Sequence, residues 1–323
     1  MHYTTLGRTG LKVSIAGLGC GGFSRLGLGT GGDEAGAIGI IHAALDLGVN
    51  VFDTAASYGT EPVLGKALRD VPRSEVVVCT KAPFGVSNPN ATPESAVKSL
   101  DRSLKELGTD YIDVYQLHGV APAAYDHAVS VIAPALLREK EKGKFRHLGI
   151  TETAPGDPEH DMVRRAAADG VWEVAMIAFH MLHQNARRRA FPPIRQHRVG
   201  TLMMFAVRNI FSQPGRLTST LCELAAAGLV PQAIADDPDP LAFLVHEGGG
   251  ASVIDAAYRY VRHEPGADVV LFGTGDQAHL RSNIASILKP PLPDADRARL
   301  AEMFGHLVGV GLDAPHLTPL RRQ

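Results

Sequence analysis

The chain has 323 residues, of which 45% are hydrophobic and 20% charged, and its formal net charge is −2. This balance suits a globular protein with a substantial core and argues against disorder, a coiled coil, or a surface built for nucleic acid or anionic lipid. The odd set Cys20, Cys79 and Cys222, far apart and in apolar surroundings, points to buried thiols in a reducing compartment, not to disulfides or a structural zinc site.

The opening Met1-His2-Tyr3-Thr4-Thr5 has no basic-then-apolar leader, and no run of about 18 apolar residues exists to span a bilayer. A cytoplasmic protein, without metal, membrane or nucleic-acid partner, is the expectation. Residues 4–14 read as a β-hairpin, with Gly7 and Gly10 supplying turn geometry. A regular beat of strands and helices follows. Strands are expected at 15–19, 51–53, 76–80, 112–117, 147–151, 174–179, 201–205 and 269–272. Helices are expected between them at 34–47, 61–69, 92–107, 129–142, 159–169, 186–197 and 252–262, with two more at 279–288 and 294–308. The 92–107 helix opens with Thr92 as N-cap and Pro93 at its first position, and it stops before Gly108. The triplet Arg187-Arg188-Arg189 reads as a solvated helix face.

Eight strands alternating with helices through short connections indicate a (β/α)8 TIM barrel in one domain, 1–323; a doubly wound sheet usually has fewer strands and a switch point. Residues 208–250 form a long loop after the seventh barrel strand, with one helix expected at 218–227. Loops of that length are usually lids or binding loops, and this one falls on the active rim.

Gly17-Leu18-Gly19-Cys20-Gly21-Gly22 satisfies the GxGxxG pattern, but no helix opens after it to hold a pyrophosphate; a glycine-rich stretch, 23–32, follows instead. Gly21 and Gly22 are better read as places where backbone approaches a ligand at the barrel mouth. The chemistry concentrates elsewhere. Asp53 closes Val51-Phe52-Asp53, Tyr58 lies in the loop beyond, Lys81 closes Val76-Val77-Val78-Cys79-Thr80, and His118 closes Ile112-Asp113-Val114-Tyr115-Gln116-Leu117. Singly, these could be a structural ion pair, a loop aromatic and a partly buried imidazole. Four such groups on three successive strand ends instead mark an active rim. An ammonium beside Tyr58 favours the phenolate, a carboxylate keeps that ammonium charged, and His118 can orient a carbonyl oxygen. Such a set suits hydride transfer to or from a carbonyl.

At this point the chain resembles the aldo-keto reductase family, through Leu6-Gly7-Arg8-Thr9-Gly10-Leu11, Phe52-Asp53-Thr54-Ala55, Tyr58-Gly59, Thr80-Lys81, Thr109 to His118, Gly149-Ile150-Thr151 and Phe272-Gly273-Thr274-Gly275. The resemblance is nearest to its galactose and threo-aldose dehydrogenase-like branch. It implies an NAD(P)-dependent oxidoreductase of aldehydes, ketones or aldoses, with Tyr58 as general acid/base, Lys81 tuning it, Asp53 partnering Lys81 and His118 orienting the substrate. It also implies NADP(H) or NAD(H) laid across the mouth. Thr151 and Glu152 would stand at the carboxamide, and Phe205, followed by Ala206, would stack on the nicotinamide. Gly273, Thr274, Gly275, Asp276 and Gln277 would meet the phosphates, and Asn283 the adenine. Glu152 replaces an expected amide, and Ile177 and His180 replace an expected Gln and Tyr. Gly273 and His279 stand where a basic pair often clasps the 2′-phosphate, leaving Arg25, Arg208 and Arg281 as other basic groups near the cofactor. Two rival readings are a dinucleotide-sensing subunit with little turnover and an aldolase-like barrel with a Schiff base on Lys81.

Overall fold

The computed structural model describes residues 1–313 except Val86, Ser87 and Pro89. Strands β1 (Tyr3–Thr5) and β2 (Lys12–Ser14) pair antiparallel as the expected hairpin. Eight parallel strands then close a barrel: β3 (Ala16–Gly19), β4 (Val51–Asp53), β5 (Val77–Pro83), β6 (Ile112–Val120), β7 (Phe145–Glu152), β8 (Val174–Ala178), β9 (Gly200–Met204) and β10 (Val269–Phe272). They follow sequence order, and β10 returns to β3 through Val270↔Ala16 and its neighbours.

Side chains alternate across each strand, so one face fills the lumen and the other meets the helices. Val51, Val77, Cys79, Val114, Val174, Met176, Leu202 and Val269 form a single buried group with Leu6, Leu11 and Val13 of the hairpin. The alternate residues Phe52, Val78, Tyr115, Leu148, Ile150, Ile177 and Val270 pack in the larger outer layer. The hairpin therefore stoppers the N-terminal end of the barrel. Its fit is close: a Cβ on Gly7 would lie 2.1 Å from the Gly200 nitrogen, and Arg8 donates to the carbonyls of Gly170, Trp172 and His197. Of the two barrel ends, the C-terminal mouth is the one that the hairpin leaves open.

Several helices differ from their expected bounds for identifiable reasons. The 186–197 helix divides into Ala186–Arg189 and Phe191–His197, because the ring and missing N–H of Pro192 and Pro193 suit a first turn and not an interior. The 159–169 helix begins only at Asp161, since His160 is left-handed with φ 57°. Over 129–142 a π-turn, Ala128–Ile132, precedes the α-helix Ala133–Glu141. Thr92 caps Pro93–Leu107 reciprocally with Ser95, and Gly108 ends it with φ 63°. The 208–250 segment is more ordered than expected, with helices Asn209–Ser212, Arg216–Ala226 and Gln232–Ala235 docked through Ile210, Leu221, Leu224 and Ala235.

Two surface expectations also change. Arg187 is bonded to Glu264 and the Tyr260 hydroxyl, and Arg189 to Asp161, so the basic triplet is largely paired and not merely solvated. Cys20 and Cys79 are buried, whereas Cys222 is exposed on the inserted helix. Among the described residues no helix is long and apolar enough to cross a membrane.

Candidate active site

The lumen-facing parity that fills the barrel with Val51, Cys79 and Val114 continues upward as Asp53, Lys81, Gln116 and His118. Lys81 and His118 lie inside β5 and β6, which each run three residues beyond their expected ends, to Pro83 and Val120. Strand backbone therefore holds both side chains more firmly than a loop would.

Lys81 is fully buried and uses its three ammonium hydrogens on Asp53 Oδ1 (2.9 Å), Asp53 Oδ2 (2.7 Å) and the Thr54 carbonyl (2.7 Å). Burial works to lower the Lys81 pKa, but Asp53 outweighs it and leaves the ammonium above its ordinary value. Such close two-oxygen contact keeps the pair as ammonium and carboxylate. Gln116, paired in register with Lys81, reaches Asp53 Oδ1 with its amide at 3.5 Å. The Cys20 amide donates to the Asp53 carbonyl at 2.7 Å and ties β3 to the same corner.

Tyr58 lies over this pair, with Lys81 Nζ 4.9 Å from its ring centre. Its hydroxyl is 3.4 Å from His118 Nε2, and the two rings meet edge to face at 5.5 Å. Ser57 Oγ stands 3.4 Å from His118 Nδ1. Contrary to the expectation of a phenol pulled toward ionisation, Tyr58 ends above its usual pKa: burial raises it more than the Lys81 charge lowers it. The neutral phenol is thus the resting form, a proton donor beside an imidazole.

The remaining residues divide into those at the mouth and those turned from it. Thr151 is on the lumen face, and its hydroxyl accepts from the Gly119 amide at 2.7 Å. Glu152 has the opposite parity, shared with Leu148 and Ile150, and points into the outer layer. There Oε1 accepts from the Ala178 amide (2.6 Å) and Oε2 faces His160 Nδ1 (2.8 Å), so its carboxylate is not available to a ligand in the lumen. Ile177 is likewise an outer-layer residue. His180 is buried, and burial takes its pKa down to about 3.

Phe205, half-buried, follows β9 with φ 72°, a left-handed conformation that is costly for a bulky residue. Ala206 beside it is buried. The guanidinium of Arg208 lies 4.1 Å from the Phe205 ring centre and 5.3 Å from that of Phe23. Beyond β10, Gly273 is exposed and the Thr274 hydroxyl accepts from the Asp276 amide at 3.0 Å. Asp276 then caps the helix Gln277–Leu288 by accepting from the His279 amide at 2.8 Å. Gly275 touches Gly27 so closely that a Cβ on it would fall 2.3 Å from the Gly27 Cα. This brings the loop after β3, with Gly21 and Gly22, against the turn after β10. Gln277 and His279 are exposed and Asn283 half-buried on that helix.

Sequence reasoning left Gln116, Phe23 and Asp313 without roles. Gln116 was within reach, two residues before His118 on the same face. Phe23 and Asp313 had no local signal, because they matter only through Arg208.

Residues 17–304 match the model of the Aldo/keto reductase family. The chain is 40% identical over 152 residues to L-galactose dehydrogenase of Arabidopsis thaliana, a stretch covering 45% of this chain and 47%, about half, of that one. It is 26% identical over 312 residues to the aldo-keto reductase YhdN of Bacillus subtilis, 87% of either chain. The fold is that of a Bacillus halodurans aldo-keto reductase in its holo form, with a TM-score of 0.69, 23% identity, and coverage of 94% of this chain and 96% of that one. This chain belongs to the aldo/keto reductase family.

Proposed function

We propose that this chain transfers a hydride between a nicotinamide dinucleotide and an aldehyde, ketone or aldose hemiacetal, with Tyr58 as the acid/base. The observation that carries the reading is the buried Lys81–Asp53 pair under a neutral Tyr58 whose hydroxyl faces His118. In reduction, a carbonyl oxygen placed between Tyr58 and His118 gains negative charge as hydride arrives. Tyr58 then donates its proton, and the nearby Lys81 ammonium stabilises the phenolate left behind. In oxidation the same phenolate accepts the proton from a hydroxyl. A bound nicotinamide dinucleotide would supply the hydride in reduction and accept it in oxidation; the Thr151 hydroxyl at the lumen face would orient its carboxamide, and Phe205 would offer an aromatic face to its ring. The turn Gly273-Thr274-Gly275, with the helix N-terminus at Gln277, suits its phosphates.

Similarity to L-galactose dehydrogenase over the matched stretch favours an aldose as substrate. Discrimination for NADP(H) has weak support, since Gly273 and His279 offer no fixed cationic clasp and the exposed Asp276 carboxylate stands at that helix end. NAD(H) is therefore expected to bind at least as well. Replacing Tyr58 with Phe tests the mechanism: turnover on a panel of aldoses and aldehydes should vanish while fluorescence titration gives nearly unchanged cofactor affinity. Retained turnover would remove Tyr58 from the chemistry.

A further inference from the structure

Arg208 is held in an unusual way for a cation. Its side chain is only 10% exposed, it is stacked on Phe205 and Phe23, and its Nε is buried with no hydrogen-bond partner among the described residues. Its compensating contacts come from one residue near the other end of the chain: Nη2 donates to the main-chain carbonyl of Asp313 and lies 3.2 Å from its Oδ2. A desolvated guanidinium with an unused N–H is a strong receptor for a two-oxygen anion.

The segment carrying Asp313 lies as a strap along the β7–β9 side of the mouth. The Gly309 amide donates to His183 Nδ1 at 3.2 Å. Gly309 and Gly311 take φ of 78° and 68°, and a Cβ on Gly311 would come within 3.1 Å of Ile210 and 3.2 Å of His180. Leu312 is buried among Ala154, Ala178, Met204 and Phe205, beside the upper ends of β7, β8 and β9. Strap and guanidinium together cover the Phe205 ring. A flat ring cannot stack on the face from which Arg208 stands 4.1 Å away without moving it.

We propose that Arg208 is an oxyanion receptor at the barrel mouth whose resident ligand is the chain's own Asp313, and that the diphosphate of a bound dinucleotide replaces Asp313, drawing Arg208 off Phe205 and releasing residues 309–313. This rests on the cofactor reading above. A bound diphosphate favours the form with the aromatic face uncovered, so cofactor binding and opening of the mouth are coupled. While the strap is closed, apparent affinity is reduced by the fraction of molecules that are open.

The test uses the full chain as wild type, D313N, R208Q and the double variant. The probes are NADH, NADPH, inorganic diphosphate, and an aldose with its corresponding uronate. In D313N the amides of 309–313 should exchange faster without ligand, and NADH should bind about fivefold to tenfold more tightly. In wild type, NADH or inorganic diphosphate should accelerate the same amides. R208Q should weaken NADH binding, and adding D313N to it should change nothing further. Equal exchange of the strap in wild type and D313N, or a strap that neither NADH nor diphosphate loosens, would overturn the proposal. A D313N effect confined to the KM of the uronate would assign the site to a substrate carboxylate and overturn the diphosphate assignment. If wild type binds neither dinucleotide, the cofactor reading itself fails, and the exchange response to inorganic diphosphate still decides whether Arg208 is a receptor.

Discussion

Tyr58 owes its position to a missing methyl group. A Cβ on Gly21 would lie 2.4 Å from the ring edge of Tyr58, so only glycine lets the ring lie against the end of β3. Gly21→Ala should push the hydroxyl off its line with His118 and lower kcat by about 10²-fold, the usual cost of an ångström of misplacement, with little change in melting temperature. A kcat equal to wild type would show that the ring has room to spare. Asp53, Tyr58, Lys81 and His118 were legible in the sequence because each ends or follows a short β-type run, and a strand's alternation is a local property. Glu152 was not legible. Its neighbour Thr151 faces the lumen, and a one-residue step on a strand reverses direction, so the carboxylate went to His160 and the Ala178 amide.

Among the elements, the hairpin matters out of proportion to its size. Leu6, Leu11 and Val13 complete the apolar filling of the barrel from below, far from the tetrad. Leu6→Ala, at a fully buried site, should cost about 2–5 kcal/mol, read as a lowered denaturation midpoint. Its kcat at low temperature should remain near wild type; a large loss there would mean that the stopper also shapes the mouth. The turn glycines and the alternation of this hairpin were readable in advance. The docking of 208–250 was not, since its short helices are held by packing of Ile210, Leu221 and Leu224 and not by strong local signals.

Across the whole molecule, charge is placed so that stability should respond to pH from two sides. His160 is buried between Glu152 and Asn185; burial lowers its pKa, but Glu152 outweighs that and raises it above the ordinary value. A raised folded pKa means that the contribution is fully present below about pH 6.5, the unfolded value, and is lost as pH rises through the folded one. His180 and His183 are the reverse: burial takes them to about 3 and about 2, so stability falls as pH drops below about 6.5 and the unfolded chain takes up protons. Urea denaturation above about pH 7, where the unfolded histidines are already neutral, should show a decline in wild type that is flattened in His160→Gln. An equal slope in both would show that His160 does not carry the linkage. By itself the sequence determined the βα beat, the closed barrel and the lumen positions of the tetrad, because periods of 2 and 3.6 and the punctuation by Gly and Pro act over a few residues. Tertiary structure alone decided that Glu152 turns outward to His160, that Gly21 makes room for Tyr58, and that Arg208 meets Asp313 across 105 residues of chain. Those contacts exist only once barrel closure has brought distant strand ends together, and no local pattern encodes which ends will meet.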